Sequence, residues 1–123
     1  MRKVLVVDDS STVRMYHKKI LSDMGFQVDE AVNGLEALEK SMLTSYDMFV
    51  VDINMPKMDG YRFVTELRAQ AEHRNTPVIM ISTESESQDM EKAFEVGATS
   101  YMIKPTKPVE LNAFIQLAVQ EKD

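Results

Sequence analysis

Three aspartates, a pair of hydroxyls and a lysine hold most of the chemistry available to this 123-residue chain. Asp8 and Asp9 follow the apolar run Val4-Leu5-Val6-Val7, and Asp52 follows Met48-Phe49-Val50-Val51. Ser82-Thr83 follows Val78-Ile79-Met80-Ile81, and Lys104-Pro105 follows Tyr101-Met102-Ile103. Clustered carboxylates repel: two unit charges about 4 Å apart cost ~1 kcal/mol in water and ~4 kcal/mol at an effective dielectric of about 20. A proton or a cation must offset that cost. Hard oxygen donors suit Mg²⁺, which keeps several waters and leaves room for a phosphate oxygen. A carboxylate is also a nucleophile that forms aspartyl phosphates. The equatorial oxygens of a transferring phosphoryl group need neutralising charge, which Mg²⁺, Lys104 and a hydroxyl from Ser82 or Thr83 would supply.

Taken singly, each feature has a plain explanation. Asp9-Ser10-Ser11 would cap a helix. Asp52 would be an ordinary strand-end acid, Ser82-Thr83 a strand terminus and Lys104 a solvated lysine. Their joint position changes the weighing, because all of them fall at the carboxyl ends of separate strand-like runs.

Those runs are short, and three are rich in β-branched residues and bounded by polar or turn residues, as strands are. A fifth candidate, Gln27 to Ala31, is more polar and suits an edge. Continuous apolar runs suit interior strands of a parallel sheet covered on both faces. Helical periods lie between them: Val13, Tyr16, Ile20 and Met24; Leu35, Leu38 and Met42; Val64, Leu67 and Ala71; Leu111, Phe114, Ile115 and Ala118. Gln88 to Val96 forms a weaker acidic helix with Met90, Ala93 and Phe94 on one side, and Gly25 and Gly97 sit where helices stop. The order reads βα five times, which predicts parallel strands joined by right-handed crossovers in a doubly wound α/β/α sandwich. In open sheets of this kind, ligands bind at the carboxyl ends of the strands.

Composition narrows the function. Lys+Arg is 14 against 20 Asp+Glu, a formal charge of −6. That balance speaks against a nucleic-acid module, which needs a basic face, and against anionic membrane surfaces. The absence of Cys excludes disulfides, thiolate metal sites and Cys nucleophiles, and it is compatible with a reducing cytoplasm. No apolar stretch approaches the ~20 residues of a membrane span. The length fits one domain over residues 1–123. His17 and His73 fall in helical segments and read as surface residues, and the ten Met read as core filler.

Asp8-Asp9, the run Asp52-Ile53-Asn54-Met55-Pro56-Lys57-Met58-Asp59-Gly60, Ser82 and Lys104-Pro105 together resemble the receiver domain of two-component response regulators. The resemblance covers essentially the whole chain and implies a five-stranded parallel sheet of order 2-1-3-4-5, flavodoxin-like. It also implies that Asp52 is the phosphoacceptor. Mg²⁺ would be held by Asp8, Asp9, Asp52 and the backbone carbonyl of Asn54. Lys104, Ser82 and Thr83 would contact the phosphoryl group, Ser82 and Tyr101 would act as the switch, and Asn54 and Glu84 would modulate rate. The Lys104–Pro105 peptide would be cis. Catalysis would extend only to self-phosphotransfer and self-dephosphorylation.

Asn54, Glu84 and Tyr101 are similar to the chemotaxis type of stand-alone receiver. That likeness implies a chemotaxis-type histidine kinase as donor, a flagellar motor switch as output partner, and a cytoplasmic monomer signalling by protein–protein contact. A phosphorelay intermediate, or a stand-alone receiver with a non-motor partner, is the alternative. Some positions depart from the pattern: Ser10 stands in place of an aromatic, Thr83 in place of a small residue, and Thr106 where Phe is frequent. Glu84 to Glu95 is acidic. Two other classes fit less well. A haloacid-dehalogenase-type phosphatase needs Asp-x-Asp, and the second acid here comes one place early. A flavin mononucleotide binder would place its phosphate against two carboxylates.

Overall fold

The computed structural model describes residues 2–122, with side chains through Ala118. Five strands alternate with five helices: β1 (Lys3–Val7), α1 (Ser11–Asp23), β2 (Gln27–Ala31), α2 (Gly34–Leu43), β3 (Met48–Asp52), α3 (Gly60–Arg68), β4 (Val78–Ser82), α4 (Ser87–Val96), β5 (Ser100–Ile103) and α5 (Pro108–Lys122). A short 3-10 turn, Ala71–His73, follows α3. All strand pairs are parallel, in the order β2-β1-β3-β4-β5. β3 and β4 are buried at every position, while β2 lies at the edge with its first four residues partly or fully exposed. The predicted order and the predicted polar edge both hold.

Side-chain alternation splits the core in two. Val4, Val6, Val50, Ile79 and Ile81 point to the layer of α1 and α5, where they meet Leu21, Leu111 and Ile115. Leu5, Val7, Phe49, Val51 and Met80 point to the layer of α2, α3 and α4, where they meet Ala37, Phe63, Leu67 and Ala93. Register then levels the strand ends: Val7 pairs with Val51, Asp52 with Ile81, and Ser82 with Ile103. The residues that follow β1, β3, β4 and β5 therefore share one rim of the sheet.

Three of the helices, α1, α2 and α3, begin on side-chain caps. Ser10 Oγ accepts from the Val13 N–H, Asn33 Oδ1 from Glu36 and Asp59 Oδ1 from Arg62. Gly97 ends α4 at φ 113°, where a side chain would be strained, and its carbonyl accepts from Arg68 Nη2 at 2.6 Å.

Several readings of the helical segments are corrected. Leu35 and Met42 are exposed, and α2 buries Gly34, Ala37 and Ser41 instead; at Gly34 a Cβ would collide with the Met58 carbonyl oxygen, so the start of the helix has no room for a side chain. Phe94 of α4 and Tyr16 of α1 are half exposed, and Ala71 lies exposed in the 3-10 turn beyond α3. Neither histidine is a surface residue: His17 and His73 are 2% and 1% exposed. His73 Nδ1 bonds Thr76 Oγ1, and its ring meets the Phe49 edge at 5.1 Å. A polar residue type at a core position, satisfied locally, defeats a reading based on apolar period.

Candidate functional site

β1 delivers Asp8 and Asp9 to the rim, and β3 delivers Asp52. One carboxylate oxygen from each of the three lies within 4.8 Å of the others. Asp8 and Asp52 are buried, at 3% and 6% exposure, whereas Asp9 opens to solvent. β5 delivers Lys104, whose Nζ sits 3.1 Å from Asp8 Oδ2 and 3.1 Å from Asp52 Oδ1. The Lys104–Pro105 peptide is cis, as the resemblance implied. Ser82 is fully buried and Thr83 exposed at the end of β4. Asn54, two residues beyond Asp52 in the loop after β3, is exposed. Of the sequence-predicted set, Asp8, Asp9, Asp52 and Lys104 are thus brought together at one rim, with Ser82 and Thr83 at the neighbouring end of β4.

Supporting bonds hold the carboxylates. Asp8 Oδ1 accepts from the Ser10 N–H at 2.9 Å, and Arg14 Nη1 donates to the Asp8 carbonyl at 2.7 Å while its Nε pairs with Glu30. Gly60, at the start of α3, donates to the Ile53 carbonyl at 2.8 Å. A Cβ on Gly60 would lie 2.5 Å from the Asp52 carbonyl oxygen, so the close approach of α3 to the end of β3 requires glycine. Lys104 is pinned from β4, because its N–H donates to the Ser82 carbonyl at 2.8 Å. Arg14 and Gly60 escaped sequence reasoning as supports of the site. Gly60 lies in the motif that was quoted, but nothing in its position along the chain signals the contact with Asp52.

The electrostatics follow from burial and crowding. Burial, then the charge of Asp8, push the Asp52 carboxyl up to about 6, against a smaller opposing pull from Lys104. Burial alone would lower the Lys104 ammonium, but Asp52 and Asp8 outweigh it and hold it above its ordinary value. Lys104 is therefore a fixed cation at neutral pH. A single lysine does not neutralise three carboxylates, and the remaining excess of negative oxygen fits a small hard cation.

The switch candidates sit on the α4 side of the rim. The Glu84 N–H donates to Ser82 Oγ at 3.0 Å, and Tyr101 Oη donates to the Glu84 carbonyl at 2.7 Å. The Tyr101 side chain packs half-buried against the α2–α3–α4 core, and burial raises its phenol. Tyr61 Oη of α3 donates to the Asp89 carbonyl of α4 at 3.1 Å, and Lys92 lies 4.5 Å over the Tyr61 ring.

A family model for the response regulator receiver domain matches residues 4–116. The chain belongs to that family. Receiver domains accept phosphoryl groups from histidine kinases and act on output partners. Among curated relatives, the transcriptional regulatory protein SrrA of Staphylococcus aureus is 38% identical over 109 residues. That match covers 89% of this chain and 44% of the relative, so the chain spans less than half of that protein's length. Among solved structures, the chemotaxis response regulator CheY4 of Vibrio cholerae is 37% identical, with a TM-score of 0.91, covering 96% of this chain and 98% of that one. The receiver domain of the sensor histidine kinase PA1611 from Pseudomonas aeruginosa is 27% identical, with a TM-score of 0.90, covering 97% of this chain and 98% of that one. That structure is described with a magnesium ion in its active-site cleft. No helix among the described residues of the present receiver is long and apolar enough to cross a membrane.

Proposed function

We propose that Asp52 accepts a phosphoryl group from a phosphohistidine and that the phosphorylated domain signals by contact with another protein. The observation that carries this reading is the pairing of a buried Asp52 with Lys104 at 3.1 Å inside a three-carboxylate cluster. An Asp52 carboxylate oxygen attacks phosphorus, the P–N bond to the donor imidazole breaks, and the imidazole leaves with the electron pair. Asp8, Asp9 and Asp52, with the Asn54 carbonyl, would hold Mg²⁺, which when bound neutralises charge on the phosphoryl oxygens. The raised Asp52 carboxyl fits this role, because a cation replaces the proton that burial otherwise favours. Lys104 supplies a fixed positive charge beside the attacking oxygen, and Ser82 and Thr83 supply hydroxyls. Asp9, Asn54, Thr83 and Glu84 are each exposed to solvent, and in this proposal Asn54 and Glu84 modulate how fast water removes the phosphoryl group. Turnover is confined to this self-phosphorylation and self-dephosphorylation.

Ser82 and Tyr101 carry the signal outward. Rotation of Ser82 to donate its O–H to a phosphoryl oxygen would carry Oγ away from the Glu84 N–H, and so loosen the residue whose carbonyl Tyr101 holds. The equilibrium of the α4 and β5 surface then shifts.

Chemotaxis is supported by the likeness to CheY4, with a chemotaxis-type histidine kinase upstream and the flagellar motor switch as partner. The likeness to SrrA supports a second reading, a receiver that controls transcription, and the likeness to PA1611 supports a place in a phosphorelay. Beryllofluoride-loaded protein tested against a purified motor-switch protein separates them. Binding that requires beryllofluoride supports chemotaxis, and the absence of binding together with onward phosphotransfer to a second histidine protein supports the relay.

A further inference from the structure

A buried polar contact joins α1 to the loop that carries Lys104. Thr106, two residues beyond Lys104, is 3% exposed, and its Oγ1 lies 2.9 Å from Nε2 of the buried His17. One residue earlier on α1, Tyr16 Oη donates to the Thr106 carbonyl at 2.6 Å. His17 Nδ1 is buried without a hydrogen-bond partner. Burial, reinforced by Lys104 and opposed by Asp8, lowers the His17 pKa, so the ring is neutral. A neutral ring pairs with Thr106 Oγ1 through Nε2 in either tautomer, as donor or as acceptor.

The placement gives this contact leverage. α1 begins directly after Asp8 and Asp9, and Asp8 is bonded to the Ser10 N–H at the cap of that helix. The Lys104 backbone is held on one side by the Ser82 carbonyl and on the other, through Pro105, by Thr106. The helix that starts at the acids is thus fastened, in its second turn, to the loop that ends at the cation.

We propose that His17 and Thr106 form a clamp that positions the Lys104 ammonium against Asp8 and Asp52 and so sets how fast Asp52 gains and loses its phosphoryl group. His17 and Thr106 are positioning residues and touch neither the phosphoryl group nor a metal. The inference rests on the proposed role of Asp52.

The test compares wild type, Thr106→Val, His17→Leu, the double variant and Thr106→Ser. Phosphorylation by acetyl phosphate with Mg²⁺ is followed at several donor concentrations, alongside thermal melts. The clamp predicts that Thr106→Val and His17→Leu lower the maximal rate constant at least about fivefold, within the ~100-fold that a 1 Å misplacement costs. The donor concentration at half-maximal rate stays unchanged. The double variant is no slower than the worse single variant, and Thr106→Ser restores the wild-type rate. A Thr106→Val protein that melts like wild type and phosphorylates at the wild-type rate overturns the clamp. Should one variant fail to fold, the ¹H–¹⁵N signal of the Lys104 ammonium decides instead, compared between Thr106→Ser and whichever of Thr106→Val and His17→Leu folds. The clamp requires that signal to shift in the second and not in the first, and an unshifted signal in both overturns it. If wild type takes no phosphate at all, the role of Asp52 fails, while the ammonium signal still decides the clamp.

Discussion

At the residue scale, the site is a balance of charges that the fold holds close together. Asp52 titrates near 6 in the folded protein against 3.8 ordinarily, so the native state binds that proton more tightly than the unfolded chain. The stabilisation this proton gives is fully present below the unfolded value and is lost as pH rises through about 6. Asp52→Asn removes the ionisation. In metal-free buffer at pH 7.5 the variant should be more stable than wild type by about 1–3 kcal/mol, with the gap narrowing at pH 4.5. Urea titrations at the two pH values check this, and a variant less stable than wild type at pH 7.5 would contradict it. Lys104 keeps Asp8 as its partner in the variant, so the ammonium is not abandoned. The residue types of this balance were legible in the sequence, because Asp8, Asp9, Asp52 and Lys104 each close a strand-like run. Their supports were not. Arg14 reaches the Asp8 carbonyl, and His17 reaches Thr106 across 89 positions of chain, and such contacts exist only once α1 is docked.

At the element scale, the strands were readable and the helix faces only partly so. Four strands stand within a residue of the apolar runs that place them, because a covered strand needs little besides continuous apolar character, and β2 coincides with the polar run Gln27 to Ala31 that suits an edge. Helix faces depend on what they pack against. α2 turns small residues inward and leaves Leu43 86% exposed, so Leu43→Gln should alter stability by no more than ~0.5 kcal/mol. Gly60 is the opposite case. A methyl there meets the Asp52 and Ile53 backbone, which has no flexible side chain to yield, so Gly60→Ala should cost ~1–3 kcal/mol and slow phosphorylation by displacing Asp52. Chemical denaturation of the two variants side by side tests both statements. Equal losses would show that the exposed and buried faces of these helices are wrongly assigned.

At the scale of the whole molecule, the domain couples one rim of a parallel sheet to an acidic helix beside it. Glu84, Glu86, Asp89, Glu91 and Glu95 lie along or just before α4, with Lys92 drawn over Tyr61. Much of the net charge of −6 therefore sits either in the carboxylate cluster or on the face next to it. A divalent cation should stabilise the entire fold through linkage, by RT ln(1 + [L]/Kd), which reaches ~2.7 kcal/mol at about 100 times Kd. Melting temperature should rise with millimolar Mg²⁺ at pH 7.5 and rise much less at pH 5, where a proton on Asp52 competes; an equal rise at both would place the ion elsewhere. The central claim is that Asp52 takes the phosphoryl group. Intact mass of wild type and Asp52→Asn after incubation with acetyl phosphate and Mg²⁺ tests it most directly. One added phosphoryl group on wild type, none on the variant and none without a divalent metal is the predicted result. Phosphate that persists on Asp52→Asn would contradict it.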